Sequence, residues 1–475
     1  MALAAAEEAN PSGFRLLRLN NNETSAATMP MSRFWESGSA ERSDGAVHYY
    51  SGSLLEEDGR ASLPDLQRGL DRLIAAVGQQ TPASRRFLKI WLGTDGASTP
   101  LHYDTQHNVY AQLHGSKDFW ILPIYAARQG DVHLWPRIHP LSHFVRDART
   151  GFGIPQGPVA ECYGHVGRDF SGRCMLYVRL EAGDVLYLPP FWLHRTVCVG
   201  STAASTTTVT STTTASSASG CASTNVWVPS RAMQRMEDVE AMPLPFESDW
   251  RLPTRLSAVL RFLEAVLRCV HAEETGEEAL WKRRIEASPP PPGGYPWSPP
   301  HALTPTETVE RLLSTRWHMA DEELLRPVEP EGRPSTVQQA AEAVECTGGA
   351  GGAGGAGGAG GSDWSLVNLT KLDEYARRRA AAFAAPDAFG DFAPERSWRA
   401  PKLILLHDQL ERICHWATDG DARATLALLR RLRHCCEQHE VEAEPSEVGA
   451  SAAESDEPPR HPPRPRAEVG GHDEL

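Results

Sequence analysis

The sequence has no long apolar run, few cysteines and no excess of positive charge. No apolar stretch reaches the ~18 residues that a transmembrane helix needs, which argues against an integral membrane protein. Nine cysteines in 475 residues are too few for a disulfide scaffold, and no CxxC pair indicates a zinc finger. Asp and Glu outnumber Lys and Arg by 61 to 47, which gives a formal net charge of −14. A chain this acidic is a poor general binder of nucleic acid.

The two ends of the chain carry conflicting address signals. The first residues have neither a basic segment nor a long apolar core, so they do not resemble a secretory signal peptide. The last four residues, His472–Leu475, spell HDEL, the retrieval signal of the endoplasmic reticulum lumen. As it stands the sequence predicts a cytoplasmic or nuclear protein, and a lumenal one if its N-terminus is truncated.

Composition divides the chain into segments of different character. From Val47 onward, short runs of β-branched and aromatic residues alternate with turn residues, which is typical of an all-β sandwich or barrel. Apolar residues recur at helical spacing in Leu256–Val270 and in stretches at 401–417 and 421–438. The predicted segments are an irregular N-terminal stretch (1–46), a β domain (47–235) with a Ser/Thr-rich insertion (201–224), a helical region (236–345), a Gly-rich linker (346–362), a second helical segment (363–440) and a disordered acidic tail (441–475).

His102 and Asp104 are spaced to bind one metal ion, because residues i and i+2 of a strand point to the same side. His194, which follows a turn and a strand with the pattern GDxLxxP, supplies a third ligand. Two histidines and one carboxylate leave open coordination positions, which suits non-haem Fe(II) that also binds a co-substrate and dioxygen. The HxD triplet alone is weak, since similar triplets begin at His271 and His472. The prediction depends on the order of HxD, a lysine, GDxLxxP and a histidine.

Lys117 is the lysine in that order, and it opens an otherwise aromatic and apolar strand. If this side chain points inward it needs an anion, and a dicarboxylate co-substrate supplies one. The alternative is a lysine at the sheet edge that points into solvent.

The segment TPLHYDTQHNVYAQLHGSKDFWILP, within residues 87–123, resembles the JmjC-domain family of Fe(II)/2-oxoglutarate dioxygenases. Within that family it is most similar to the small hydroxylase branch that includes the asparaginyl hydroxylase inhibiting hypoxia-inducible factor. The resemblance covers about residues 47–230. It implies a mainly β fold, a double-stranded β-helix or jelly roll of the cupin type, followed by a helical C-terminal region.

The resemblance also implies roles for individual residues. The iron ligands of the family match His102, Asp104 and His194. The groups around its 2-oxoglutarate match Lys117 and Thr99 at the distal carboxylate, Asn108 and Tyr49 in the pocket, and Asn225 on the iron side. The Ser/Thr-rich insertion before the last of these, and the short segment before the first strand, depart from the family pattern.

The implied activity is hydroxylation of a protein side chain with Fe(II), 2-oxoglutarate and O2, on a protein or peptide partner. Demethylation of N-methyl-lysine uses the same chemistry, but no Cys/His-rich chromatin-reading module is visible. A JmjC-like scaffold without iron is a non-enzymatic alternative, which the intact set of ligands and lysine argues against. The C-terminal helices resemble in position a region that small JmjC hydroxylases use for dimerisation. They predict either a homodimer or a satellite bundle packed on the barrel.

Overall fold

The computed structural model describes the backbone of most of the chain. The described residues are 14–20, 23–29, 34, 47–54, 68–69, 72, 87–122, 133–139, 141–146, 161–162, 166–168, 174–199, 220–247, 249–287, 302–318, 335–346, 367–384 and 399–443. The linker beyond residue 346, the acidic tail beyond 443 and the part of the Ser/Thr-rich insertion at 201–219 lie outside them.

Strands of the N-terminal half form two large antiparallel sheets and one small one. The major sheet, in the order β13-β6-β15-β4-β3-β1-β2, contains β1 (Phe14–Asn20), β2 (Glu23–Met29), β3 (Val47–Ser53), β4 (Phe87–Thr94), β6 (Gln106–His114), β13 (Val185–Leu188) and β15 (Gly220–Pro229). The minor sheet, in the order β10-β11-β12-β7-β14-β5, contains β5 (Ser98–His102), β7 (Ser116–Leu122), β10 (Glu161–Cys162), β11 (Val166–Arg168), β12 (Cys174–Leu180) and β14 (Leu193–Val199). The small sheet pairs β8 (His133–Leu134) with β9 (Val145–Arg146).

The two large sheets pack face to face. Tyr110 and Leu188 of the major sheet share a buried cluster with Phe119 and Ile121 of the minor sheet. The rings of Tyr110 and Phe119 meet edge to face with centroids 4.9 Å apart. We call the surfaces that meet in this way the inner faces. Because side chains alternate along a strand, every second residue of the central strands points to the inner face.

Two expectations for this region are wrong at their boundaries. The stretch 1–46 is not irregular throughout, because β1 and β2 form a hairpin that extends the major sheet, with Leu17 opposite Tyr49. Residues 220–224 belong to β15 and not to the insertion, because this strand lies between β4 and β6 and its backbone groups bond to both. A Ser/Thr-rich composition is compatible with that position, since threonine fits a pleated sheet well.

The C-terminal part of the chain is helical, as predicted. The helices are α1 (Arg231–Ala241), α2 (Leu252–Ala287), α3 (Pro305–Leu312) with a π-helical continuation at Leu313–Trp317, α4 (Thr336–Ala343), α5 (Leu369–Ala384), α6 (Arg399–Ala417) and α7 (Ala422–Ala443). Three of them begin with a hydroxyl side chain that accepts a hydrogen bond from a backbone N–H of the first turn, namely Ser230, Thr304 and Ser335. None of the described helices is long and apolar enough to cross a membrane.

The helices and the β domain share one hydrophobic core. Leu101, Tyr103 and Leu193 of the minor sheet and its loops belong to the same buried cluster as Leu263 of α2 and Leu410 of α6. The helices therefore pack on the β domain through a continuous apolar contact. A homodimer through these helices stays a prediction.

Two disulfides add covalent links within this architecture. Cys198 of β14 is bonded to Cys221 of β15, and Cys346, after α4, is bonded to Cys435 of α7. The first disulfide links the end of β14 to the start of β15, the two strands between which the Ser/Thr-rich insertion lies in sequence. Cys269, Cys414 and Cys436 are free thiols among the described residues.

A buried ion network also joins the helices to the β domain. Arg316 is 1% exposed, and its Nη1 donates to Asp408 at 2.6 Å and to Glu411 at 3.0 Å. Glu411 is fully buried. It also accepts from the indole of Trp317 at 2.7 Å and from the backbone N–H of Arg137 in the β domain. Each partner depends on the others to avoid an uncompensated buried charge.

We expect Glu411→Ala to lower the free energy of unfolding by about 3–5 kcal/mol, because the buried Arg316 then loses the fully buried one of its two carboxylate partners. Urea unfolding monitored by tryptophan fluorescence measures the change. Glu374→Ala is the matched control, since it removes an exposed pair with Arg378 at 2.9 Å and should cost less than about 1 kcal/mol. Equal effects of the two substitutions would contradict the prediction.

Candidate metal centre

The three predicted metal ligands lie together at one end of the inner faces. β5 ends at His102, and β14 pairs with it so that His194 lies directly opposite. Asp104 follows in the loop after β5. One potential ligand atom from each residue lies within 4.8 Å of the other two, and the two imidazole centroids are 4.2 Å apart. A single ion placed among these atoms would contact all three.

A strained residue ties together the two loops that carry the ligands. Phe191 has a φ of 61°, which is unusual for any residue with a Cβ. Its N–H donates to the backbone oxygen of Asp104 at 2.7 Å, and its buried ring stacks on Tyr103 at 5.5 Å. Packing in the core offsets the cost of the strained backbone. The hydrogen bond fixes Asp104 relative to the start of β14.

Backbone carbonyls orient both histidines. His102 Nδ1 lies 2.9 Å from the oxygen of Pro100, and His194 Nδ1 lies 3.0 Å from the oxygen of Trp192. A proton on each Nδ1 satisfies these contacts and leaves both Nε2 lone pairs for a metal ion. Burial, with the nearby His194, lowers the pKa of His102 to about 4. Its imidazole is therefore neutral, as a metal ligand requires.

Asp104 is held by two donors on one oxygen. Its Oδ2 accepts from the indole Nε1 of Trp227 at 3.0 Å and from Nδ2 of Asn108 at 3.1 Å. Burial alone would raise the pKa of Asp104, but His194, His102 and these donors outweigh it and lower the pKa. The side chain is thus an ionised carboxylate with Oδ1 free of these two bonds.

The hydrogen bonds continue behind Asp104. Asn225 Nδ2 donates to Asn108 Oδ1 at 3.0 Å, and Trp91 Nε1 donates to Asn225 Oδ1 at 2.6 Å. Each indole or amide fixes the orientation of the next, so the direction of donation runs from Trp91 to Asp104. The structure places Asn108 and Asn225, which the resemblance assigns to the co-substrate pocket and the iron side, in this chain behind the carboxylate.

Lys117 points inward at the other end of the inner faces. It is 1% exposed, so the alternative of a solvent-facing edge lysine is wrong. Its Nζ donates to the hydroxyl of Tyr110 at 2.9 Å and lies 5.5 Å from the ring of Tyr49. The hydroxyls of Thr99 and Tyr49 lie 3.5 Å apart. Lys117 and these hydroxyl groups form what we call the lysine pocket.

The amine of the lysine pocket is incompletely paired. Among the described residues no carboxylate lies within ion-pair distance of Lys117, and burial lowers the pKa of this lysine to about 7. Thr196, which faces inward between His194 and the lysine pocket, is 5% exposed, and its buried Oγ1 has no hydrogen-bond partner in the described structure. An unpaired buried polar atom costs about 1–3 kcal/mol. An anionic ligand with several oxygens fits such a pocket.

Six residues of the centre and pocket were missed by sequence reasoning: Trp91, Tyr110, Phe144, Thr196, Ser223 and Trp227. Four of them lie two positions from a predicted site residue on the same strand, so the alternation of strand side chains could have found them. The ring of Phe144, which lies 5.2 Å from that of His102, had no such signal. It comes from a separate segment that crosses the centre only in the folded chain.

Comparisons with known proteins agree with this fold. A family model described as a cupin-like domain matches residues 5–228. The chain is 34% identical over 107 residues to Jumonji C domain-containing protein 5 of Drosophila melanogaster, across 22% of this chain and 23% of that protein. It is 25% identical over 123 residues to lysine-specific demethylase JMJ32 of Arabidopsis thaliana, across 22% of this chain and 35% of that protein.

A solved oxalate decarboxylase of Lactobacillus farciminis is 11% identical, across 30% of this chain and 23% of that one, with a TM-score of 0.15. That similarity is too low to bear on function. The sheets, the centre and the family match define a cupin-like domain. More narrowly, the family model and these relatives support a JmjC-type domain within residues 5–228. It spans about a quarter to a third of the length of the two relatives named above.

Proposed function

We propose that this protein is an Fe(II)- and 2-oxoglutarate-dependent dioxygenase that hydroxylates a side chain of a protein or peptide. The observation that carries the proposal is the combination of a His-Asp-His centre with a buried lysine that has no carboxylate partner in the described part of the chain. Two imidazoles and one carboxylate are ligands that Fe(II) accepts while positions for other ligands stay open. The donor set and the pocket therefore fit the metal and the co-substrate together.

The spacing between centre and pocket suits a short diacid. On β7, Lys117 lies four residues from Ile121, which pairs with His194. At ~3.3 Å per residue this corresponds to about 13 Å along the strand. A five-carbon diacid, together with the lysine side chain itself, is long enough to link the two ends. Lys117 would pair with the far carboxylate, and Thr99 and Tyr49 would donate hydrogen bonds to it.

Fe(II), with 2-oxoglutarate and O2, supplies the oxidising power to insert oxygen into an unactivated C–H bond. The protein fixes the orientation and protonation state of the ligands and limits the access of water. His102 and His194 keep their Nδ1 protons directed at backbone carbonyls. Asp104 stays ionised and fixed in rotation by Trp227 and Asn108. The apolar inner-face residues limit the access of water to the reacting groups.

The test is mass spectrometry of candidate peptides after incubation with Fe(II), 2-oxoglutarate and the protein. A gain of one oxygen supports hydroxylation. Demethylation is the second candidate, because two relatives of this domain are named lysine-specific demethylases. It would appear as loss of a methyl group from N-methyl-lysine with release of formaldehyde. If 2-oxoglutarate yields no succinate above the background of an Asp104→Ala variant, the domain is a non-enzymatic scaffold and the proposal is wrong.

We expect Trp227→Phe to weaken metal binding about 10- to 100-fold, because Asp104 Oδ2 loses one of its two donors and the carboxylate is no longer fixed. Titration with Co(II), followed by its visible absorption, measures the change. Trp120→Phe is the matched control, since this indole lies on the outer face of β7 and contacts Arg195 at 5.1 Å. Unchanged Co(II) affinity in Trp227→Phe would show that the indole does not position the ligand.

The affinity for 2-oxoglutarate should be constant below pH 7 and fall by up to about tenfold per pH unit above it. Burial lowers the pKa of Lys117 to about 7, so above that pH the free pocket holds a neutral amine that must take up a proton before it pairs with a carboxylate. Burial raises the pKa of Tyr49 to about 12 and that of Tyr110 well above 10, so both facing hydroxyls stay neutral. Calorimetry with Mn(II)-loaded protein measures the profile. For a Lys117→Arg variant the affinity should not change with pH. An affinity that does not change with pH in the unmodified protein would contradict the role of Lys117 as the partner of the far carboxylate.

A further inference from the structure

We propose that Lys89 selects substrates that carry an acidic side chain, Asp or Glu, close to the residue that is oxidised. The proposal rests on the proposed function and adds the chemistry of the substrate. Lys89 lies on β4, directly opposite Asn225 of β15. It therefore projects from the same inner face as the chain of hydrogen bonds that ends at Asp104.

Two indoles hold the Lys89 ammonium beside the metal centre. Its Nζ lies 5.3 Å from the ring centroid of Trp227 and 5.5 Å from that of Trp91. Trp227 is the residue that donates to Asp104 at 3.0 Å, so one indole separates the ammonium from the metal-binding carboxylate. The two indoles meet edge to face at 5.8 Å. Cation–π contacts with two rings give the charge a defined position.

Lys89 is available to a ligand, whereas Lys117 is enclosed. Lys89 is partly exposed, and none of the described carboxylates lies within ion-pair distance of its Nζ. The chain has a net charge of −14, so carboxylates are plentiful. Lys402, for comparison, pairs with Glu274 at 3.0 Å. An accessible cation beside the centre favours an anionic group on the incoming molecule. Since Lys117 already serves the co-substrate, the group that Lys89 binds belongs to the substrate.

The ion pair sets a preference and not an absolute requirement. The ammonium keeps part of its contact with water, so we expect a substrate with a suitably placed Asp or Glu to bind about tenfold more tightly than its Ala counterpart. Reversal of the charge at this position should reverse the preference. A lysine that only covers the two indoles would leave substrate choice unaffected.

The experiment is affinity selection from a degenerate peptide library on immobilised full-length protein loaded with Mn(II) and 2-oxoglutarate. Peptides retained by the unmodified protein should be enriched in Asp or Glu at one position about tenfold relative to those retained by Lys89→Ala. Lys89→Glu should enrich Lys or Arg there. Lys371→Ala is the control, because that lysine also lies over a ring, that of Tyr375 at 5.7 Å, but on α5.

Three outcomes overturn the inference. The first is that the unmodified protein and Lys89→Glu show the same residue preferences, and the second is that neither retains peptide above background. The third is that Lys89→Ala weakens binding of 2-oxoglutarate tenfold, which would place Lys89 at the co-substrate. Mn(II) and 2-oxoglutarate affinities of the unmodified protein are measured separately by calorimetry. Absence of both would refute the proposed function itself.

Discussion

The Asp104→Ala variant should bind Mn(II) or Co(II) at least about 10³-fold more weakly than the unmodified protein, and it should convert no 2-oxoglutarate. The loss should exceed the 10- to 100-fold that a change behind a ligand usually costs. Asp104 is the carboxylate of the described metal centre. Without it two imidazoles remain, and they offer a divalent ion neither a third ligand nor a compensating charge. Metal titration and succinate release measure the two effects.

Asp118→Ala is the matched control for that experiment. Asp118 lies on the outer face of β7 and forms an ion pair with Arg179 at 2.6 Å, so its removal changes the charge of the same sheet without touching the centre. Thermal unfolding of the metal-free proteins checks that both variants fold. Metal binding by Asp104→Ala within tenfold of the unmodified protein would show that this carboxylate is not a ligand.

Lys117→Met should weaken 2-oxoglutarate binding at least about 100-fold, while Mn(II) affinity stays unchanged. Loss of one partner from a buried, hydrogen-bonded charge pair costs about 2–5 kcal/mol, and ~2.7 kcal/mol corresponds to 100-fold. The metal-free variant should be at least as stable as the unmodified protein, because a buried amine that has no carboxylate partner among the described residues is replaced by an apolar side chain of similar length. Calorimetry and denaturation measure the two quantities.

The combination of weaker binding and undiminished stability separates a binding role from a structural one. Lys402→Met provides the contrast, since Lys402 is also buried but pairs with Glu274. It should lose stability and keep its affinity for 2-oxoglutarate. A Lys117→Met variant that unfolds more easily and binds 2-oxoglutarate normally would mean that the lysine has only a structural role in the sheet.

The centre could be predicted from sequence because its geometry is mostly local. His102 and Asp104 are two residues apart at the end of a strand, and the GDxLxxP pattern marks the strand before His194. The sequence does not determine the orientation of Lys117, since strand alternation alone does not say which sheet face is covered. The register between β7 and β14 decides it, and that register depends on contacts distant in sequence.

The partners of the ligands were harder to predict for the same reason. Trp91 meets Asn225 only because β4 and β15 pair in one particular register. Ser223, whose hydroxyl accepts from Tyr110, lies in a stretch whose Ser/Thr composition conceals a strand. The hairpin of β1 and β2 has weak alternation and is defined by its pairing with β3. Composition does not report such long-range pairing.

The shared core links the helices to the metal centre. Tyr103 stands in sequence between two metal ligands, and its ring is buried in the same apolar cluster as side chains of α2 and α6. The backbone that presents His102 and Asp104 is thus anchored in the bundle. A missense change deep among the helices can therefore disturb the metal centre from a distance, through the packing around Tyr103. Truncation to the β domain would remove that anchor.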